Sequence, residues 1–323
     1  MRLTPKTVGA AAAVITVVIW TAFIIIARAS ADPTRGALLT PFDLAFLRIV
    51  GASSILLPWG AWLVRHGADA GWLGLSPLPA RTTILTGLFG GLCYAMLSYS
   101  GFFFAPAAHA SVLMPGSLPL WTALLAALVL HDRITAARAL GLACIVGGDL
   151  LVGGTSLLHA LDGGEVWKGD LLFMAAALCW ACYTVLARKL GLDAVRATIA
   201  ITCFACLTYV PVYGLLALTG VAHSRLGQAP LGLLAFQAMF QGWGSVVISG
   251  IAFTQMIRHF GPVRSTMITS LVPGLSALGA VLLLGEPLSP TLLGGLALVT
   301  VGILFGVRQA APAAPPPLPT QVR

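Results

Sequence analysis

The sequence predicts an all-α integral membrane protein of ten transmembrane helices, arranged as two inverted five-helix repeats. Three observations carry this. Charged residues make up 9% of the 323 positions and hydrophobic ones 58%, whereas a water-facing surface draws on roughly a quarter charged residues. Mean hydropathy is +0.95, so the apolar excess must face lipid. Apolar runs of roughly 20 residues, the length that crosses a bilayer, recur along the whole chain, and the first half of the chain resembles the second.

The runs read in order as 8–28, 42–64, 82–104, 108–130, 137–157, 168–188, 195–219, 231–257, 264–284 and 290–308. Arg2 and Lys6 precede the first. Ala29-Ser30-Ala31 follows it and mimics a signal-peptidase site, but the run is too long for the apolar core of a signal peptide and suits a span. The connections are short and rich in Gly, Pro or charge. The connection 158–167, with Asp162, Gly163, Gly164 and Glu165, marks the junction between a first repeat (1–157) and a second (168–308). The Pro/Ala-rich tail 309–323 reads as disordered.

Ten spans put both termini on one side, and the basic residues choose it. With the N-terminus inside, 13 of the 18 Lys and Arg fall in inner segments and 4 in outer ones, and Arg48 lies within a span. That bias predicts cytoplasmic termini in a cell inner membrane. It also accounts for the net charge of +8: the basic residues are scattered singly between apolar runs, which speaks against nucleic acid as a partner.

The repeat is legible in motifs. Trp20 precedes Arg28 by the spacing at which Trp180 precedes Arg188, in the first span of each half. Pro119 precedes Asp132, and Pro273 precedes Glu286, by 13 residues at the end of each fourth span, and a Gly-rich fifth span follows in both halves. Five crossings per half is odd, so the second half enters the membrane from the opposite side. Such inverted repeats can hold two near-equivalent conformations, one open to each side, which is the basis of alternating access.

These residues, together with Arg48 in Leu47-Arg48, resemble the drug/metabolite transporter superfamily of the EamA type over nearly the whole length. The resemblance implies ten helices, cytoplasmic termini, a central cavity between the repeats and, in many members, export of amino acids or related metabolites. His131-Asp132 stands where the pattern usually has Gly-Glu, a departure within a turn.

Several side chains are candidates for the site, each with a plainer reading. Charges within spans are costly and count as functional by default. Arg48 can bind a substrate carboxylate, pair with Asp43, or snorkel to the interface. Asp149, well into the fifth span, is the best candidate for proton coupling, because a carboxylate in apolar surroundings is costly to keep charged; the plainer reading is an interfacial acid. His109, at the start of the fourth span, is a second candidate, imidazole being the side chain that titrates near neutrality; a buried, hydrogen-bonded His is the commoner case. Tyr94 and Ser98 mark one face of the third span; Gln237, Gln241, Ser245 and Ser249 mark one face of the eighth. Such faces point inward, either lining a cavity or joining helices. Trp20, Tyr99, Trp180 and Gln255 are large enough to line a substrate cavity. Interior prolines in the fourth and ninth spans free carbonyls at depth, where a binding site tolerates them. Asp132 and Glu286 read as caps on the helices that follow them.

Cys179-x-x-Cys182 and Cys203-x-x-Cys206 have zinc-ribbon spacing, but they lie in apolar helices where Cys packs as a small hydrophobe, so no metal and no cofactor is expected. Phosphate loops and hydrolase motifs are missing from the sequence, which disfavours ATP-driven transport and enzymatic activity. The expected function is secondary active transport of small organic metabolites, with Trp20, Arg48, Tyr94, Tyr99, Trp180, Gln241, Ser245 and Gln255 binding substrate, and with Asp149 and His109 available for proton coupling. A membrane enzyme acting on lipid would need clustered acids or His, and a passive channel a continuous polar path.

Overall fold

A computed structural model describes residues 5–36, 38–67 and 71–308. Among them the chain is almost wholly helical, and its extended pairing is confined to an isolated bridge between Trp72 and Ser76. Among the described residues nine helices are long and apolar enough to cross a membrane: α1 (Lys6–Ala31), α2 (Pro41–His66), α3 (Ala80–Phe104), α4 (Ala107–Leu130), α5 (Ala136–Asp162), α6 (Val166–Lys189), α7 (Ala194–Leu218), α8 (Leu231–Gly261) and α9 (Arg264–Leu284). A shorter apolar helix, α10 (Pro290–Arg308), completes the set. Each overlaps one of the ten runs. The expected tail 309–323 and Arg2 lie outside the described residues.

Local chemistry sets the helix ends. α2 opens on a capping box, Thr40 accepting from the Asp43 N–H while the Asp43 carboxylate accepts from the Thr40 N–H. Thr135 caps α5 and Asp193 caps α7 through the N–H groups of Arg138 and Arg196. α3 and α4 are divided by the extended pair Ala105-Pro106. α8 and α9 are divided by Gly261, at φ 79° and ψ 163°, a conformation that glycine adopts without strain.

The repeats interlock by exchange. α1 packs on α8 and α9, the third and fourth helices of the other half, and α6 packs on α3 and α4. α2 lies against α7 and α8, and α7 against α2 and α3. The fifth helices, α5 and α10, meet each other through glycine. A methyl group on Gly148 would sit 2.6 Å from the Gly295 carbonyl oxygen, and one on Gly302 would sit 2.5 Å from that of Gly141. Backbones can approach so closely only where side chains are missing, the usual device for joining helices in lipid.

One expectation is corrected here. Asp132 and Glu286 do not serve as caps for α5 and α10. Thr135 fills that role for α5, and Ser289 accepts the Leu292 N–H at the start of α10. The two acids reach across the repeat boundary instead. Glu286 accepts from Arg28 Nε (3.2 Å) and from the Ala107 and Ala108 N–H groups (3.1 and 3.2 Å), so it caps α4. Asp132 takes a two-pronged contact from Arg188, at 2.6 and 3.2 Å.

Candidate functional site

A cavity of about 1270 Å³ lies between the two repeats. The local backbone explains why space opens there. α3, α4 and α8 each contain a stretch of wide i→i+5 turns, at Leu88–Cys93, Val112–Gly116 and Ala238–Ile248. Gly90, Gly91, Met114, Pro115, Ser245 and Val246 from these stretches line the cavity. π-turns of this kind redirect side chains and cluster at functional sites, and irregular backbone is tolerated at membrane depth where it lines a cavity.

The wall is mostly apolar and aromatic. Trp20 packs on Phe253 at 5.1 Å between ring centroids, and its Nε1 donates to Ser249 Oγ at 3.2 Å. Trp180 packs on Tyr94 at 4.9 Å and on Tyr183 at 5.2 Å. The first pair joins α1 to α8 and the second joins α6 to α3, so the two Trp residues hold matching places in the two repeats. All these aromatic residues line the cavity.

The cavity ends differ. At one, the wall reaches the connections that carry Asp132, Arg133, Thr135 and Leu192, together with Arg138 and Arg188. At the other, no connecting residue among the described ones belongs to the wall. That end is held by the cluster around Glu286, where Arg28 also donates to the Phe102 carbonyl (2.6 Å) and pairs with Asp32 (3.0 Å). The Arg28 and Glu286 side chains are 12% and 10% exposed, whereas Arg188 and Asp132, their counterparts at the open end, are 59% and 25% exposed.

Arg48 sits about 10 Å along α2 from its Pro41 end, counting 1.5 Å per residue, and lines the cavity. Its Nη1 donates to Ser245 Oγ at 3.0 Å and approaches the Gln241 carbonyl at 3.5 Å, and its guanidinium lies 5.4 Å from the centre of the Phe23 ring. Asp43 is not its partner. That carboxylate is fully buried and accepts from Tyr213 (2.8 Å), Ser224 (2.7 Å) and the Arg225 N–H (3.1 Å), tying the 219–230 connection to α2.

Of the sequence candidates, Trp20, Arg48, Tyr94, Trp180 and Ser245 are brought together on the cavity wall. Tyr99 and Gln241 are fully buried just behind it, with the Tyr99 hydroxyl donating to Gln241 Oε1 at 2.9 Å. Gln255 is partly buried and off the wall. Asp149 is 6% exposed, also off the wall, and neither carboxylate oxygen has a hydrogen-bond partner among the described residues. His109 is elsewhere again: its Nδ1 lies 3.0 Å from Asp170 Oδ1, and Ser156 Oγ donates to the other oxygen of that buried acid. No group of three or more His, Cys, Asp or Glu able to hold a metal occurs among the described residues, the paired cysteines included.

Sequence reasoning missed Phe23, Tyr183 and Phe253 on the wall. Tyr183 lies three residues from Trp180, within reach on the same helix face. The spacing of Trp20 and Trp180 signalled the repeat but not which aromatic of the opposite half each would meet.

The comparisons with known proteins agree with this architecture. The EamA-like transporter family matches residues 7–154 and 167–308, one stretch for each repeat. A Bacillus subtilis (strain 168) protein described as "Uncharacterized transporter YyaM" is 27% identical over 233 residues, spanning 70% of this chain and 72% of that one. A solved crystal structure with 22% identity covers 94% of this chain and 96% of its own, at a TM-score of 0.57, and shares the fold.

Proposed function

The chain belongs to the EamA-like transporter family, and from that premise we propose a secondary active transporter that moves small organic metabolites, amino acids or related compounds, outward across a cell inner membrane by alternating access. One observation carries the reading: a large cavity between two interlocked repeats reaches the connecting loops at one end, whereas its described lining at the other end is made of helix residues alone. Alternating access needs a cavity that opens to one side at a time. A passive channel needs a path through, and an enzyme needs acids or imidazoles on the wall, where Asp132 is the only acid among the described lining residues.

The open end carries Arg133, Arg138 and Arg188, and the positive-inside rule makes it the cytoplasmic end, with both termini on that side. In this reading the substrate enters from the cytoplasm and rests between Trp20, Tyr94 and Trp180, with Arg48 and Ser245 offering polar contacts. Tyr99 and Gln241 act from behind, by positioning the wall around Arg48. Closure of the open end would draw the surroundings of Asp132 and Arg188 into the arrangement that Glu286 and Arg28 now hold. The driving force is a substrate gradient, or a proton gradient sensed at Asp149, with His109 beside Asp170 as the second candidate for coupling. Reconstitution in liposomes with a panel of amino acids and amines tests the proposal. Saturable counterflow is the expected result; non-saturable leak would mean a channel, and chemical conversion without flux an enzyme.

A further inference from the structure

We infer that the transported compound is an organic anion: a single carboxylate held by Arg48, attached to a flat apolar or aromatic body, with no ammonium group required. The inference rests on the carrier reading above and narrows its substrate class.

Arg48 is the first argument. A guanidinium offers five N–H donors. Among the described residues the protein partners of Arg48 are all neutral: Nη1 donates to the Ser245 hydroxyl and approaches the Gln241 carbonyl, and the Tyr99 hydroxyl also lies within hydrogen-bonding reach of the guanidinium. Donors remain for a carboxylate, which a guanidinium edge meets with two parallel hydrogen bonds. Among the described residues Arg48 also has no carboxylate within ion-pair distance, whereas Arg28 and Arg188 each do. A cation removed from water without a counter-ion is costly, and a bound anion supplies what the protein omits.

The balance of charge is the second argument. The charged residues on the wall are Arg48, Arg133, Arg138, Arg188 and Asp132. The one acid is already engaged by Arg188, at the open end. The mouth arginines also serve topology, but Arg48 does not: it lies beyond them, deep in the cavity beside Phe23. An amine or the ammonium of an amino acid would meet no carboxylate on the described part of this wall other than Asp132, which Arg188 already engages, and a low-dielectric cleft in which one sign of charge prevails concentrates the opposite charge.

The third argument is shape. Trp20 with Phe253 and Trp180 with Tyr94 and Tyr183 contribute rings from both repeats, surfaces suited to a planar apolar group.

Three compounds of one shape separate the cases: indole-3-propionate, its neutral amide, and tryptamine. Binding to the purified full-length chain is read by isothermal calorimetry or thermal shift. The anion is expected to bind at least tenfold more tightly than the amide, and tryptamine most weakly. R48Q is expected to weaken the anion by about tenfold to a hundredfold, the loss of a hydrogen-bonded charge partner, while leaving the amide within about threefold; R48K should retain part of the preference. Equal or tighter binding of amide or amine, binding of none of the three, or an R48Q chain that keeps the preference would overturn the inference. If R48Q does not fold, the three-compound comparison on the native chain decides alone. Counterflow separates the two readings. Flux of tryptamine without the anion leaves a carrier and removes the anion site; binding of the anion without flux does the reverse.

Discussion

Arg28 Nε lies 3.2 Å from Glu286 Oε1, so the last turn of the first helix is tied to the end of the ninth across the boundary between repeats. The repeat-related pair, Arg188 and Asp132, makes the same connection at the opposite end, where it is exposed. One motif thus occupies two environments in one molecule.

That difference sets unequal costs for the same substitution. Glu286→Ala would remove three acceptor contacts at once and leave a nearly buried guanidinium short of charge and two helix N–H groups without their cap. Breaking a buried pair costs about 3–5 kcal/mol. Asp132→Ala breaks an exposed pair, worth about 1 kcal/mol or less. Thermal unfolding in detergent should show a large loss for the first and a small one for the second. Equal losses would mean that Glu286 is not the stronger anchor.

Gly148 and Gly154 lie on the same helix and give opposite expectations for the same change. At Gly148 an added methyl would meet the Gly295 carbonyl oxygen and Val299 Cγ2, both at 2.6 Å, and α10 would have to shift. Gly148→Ala should cost about 1–3 kcal/mol. At Gly154 nothing lies within 4 Å, and Gly154→Ala should be neutral or stabilise by up to about 1 kcal/mol. Denaturation midpoints of the two variants test this, and a penalty at Gly154 would contradict the packing described.

Asp149 is expected to be dispensable for folding if it serves coupling. Its oxygens have no hydrogen-bond partner among the described residues, so Asp149→Asn removes none and should leave the unfolding temperature unchanged or raised. In proteoliposomes the same variant should lose flux driven by an imposed pH gradient while retaining counterflow, which needs no net proton movement. Unaltered pH-driven flux would remove Asp149 from the coupling role and leave the His109–Asp170 pair to be tested in the same way.

The fold was legible because lipid imposes few solutions. Length, apolarity and the placement of Arg and Lys suffice to count helices, and the two Trp–Arg and two Pro–acid spacings reveal the repeat. The site was only partly legible. Trp20, Arg48, Tyr94, Trp180 and Ser245 lie on the cavity wall, being large or polar groups on inward faces. Tyr99 is equally large and lies on the neighbouring helix face, but it turns to Gln241 and is buried. Helix periodicity gives the face and not the rotation of a few tens of degrees that separates a wall from the layer behind it. The partners of Glu286, Asp132 and Asp43 are longer-range still, at separations of 258, 56 and 170 residues, and local capping rules could not reach them.

Tyr99 tests whether that second layer matters to the site. Its hydroxyl donates to Gln241 Oε1 (2.9 Å), Gln241 Nε2 donates to Gln237 Oε1 (3.3 Å), and Gln237 Nε2 donates to Ser30 Oγ (2.7 Å). The chain of bonds joins α3, α8 and α1 around the segment whose Gln241 carbonyl and Ser245 hydroxyl face Arg48. Tyr99→Phe keeps the ring and its packing against Phe23 but withdraws a donor from a fully buried amide, at a cost of about 1–3 kcal/mol. The unfolding temperature should fall, and because the segment that holds Arg48 loosens, half-saturation of counterflow should rise several-fold for a carboxylate and much less for its amide. A loss of stability with no such split would make the network a purely structural tie between the repeats.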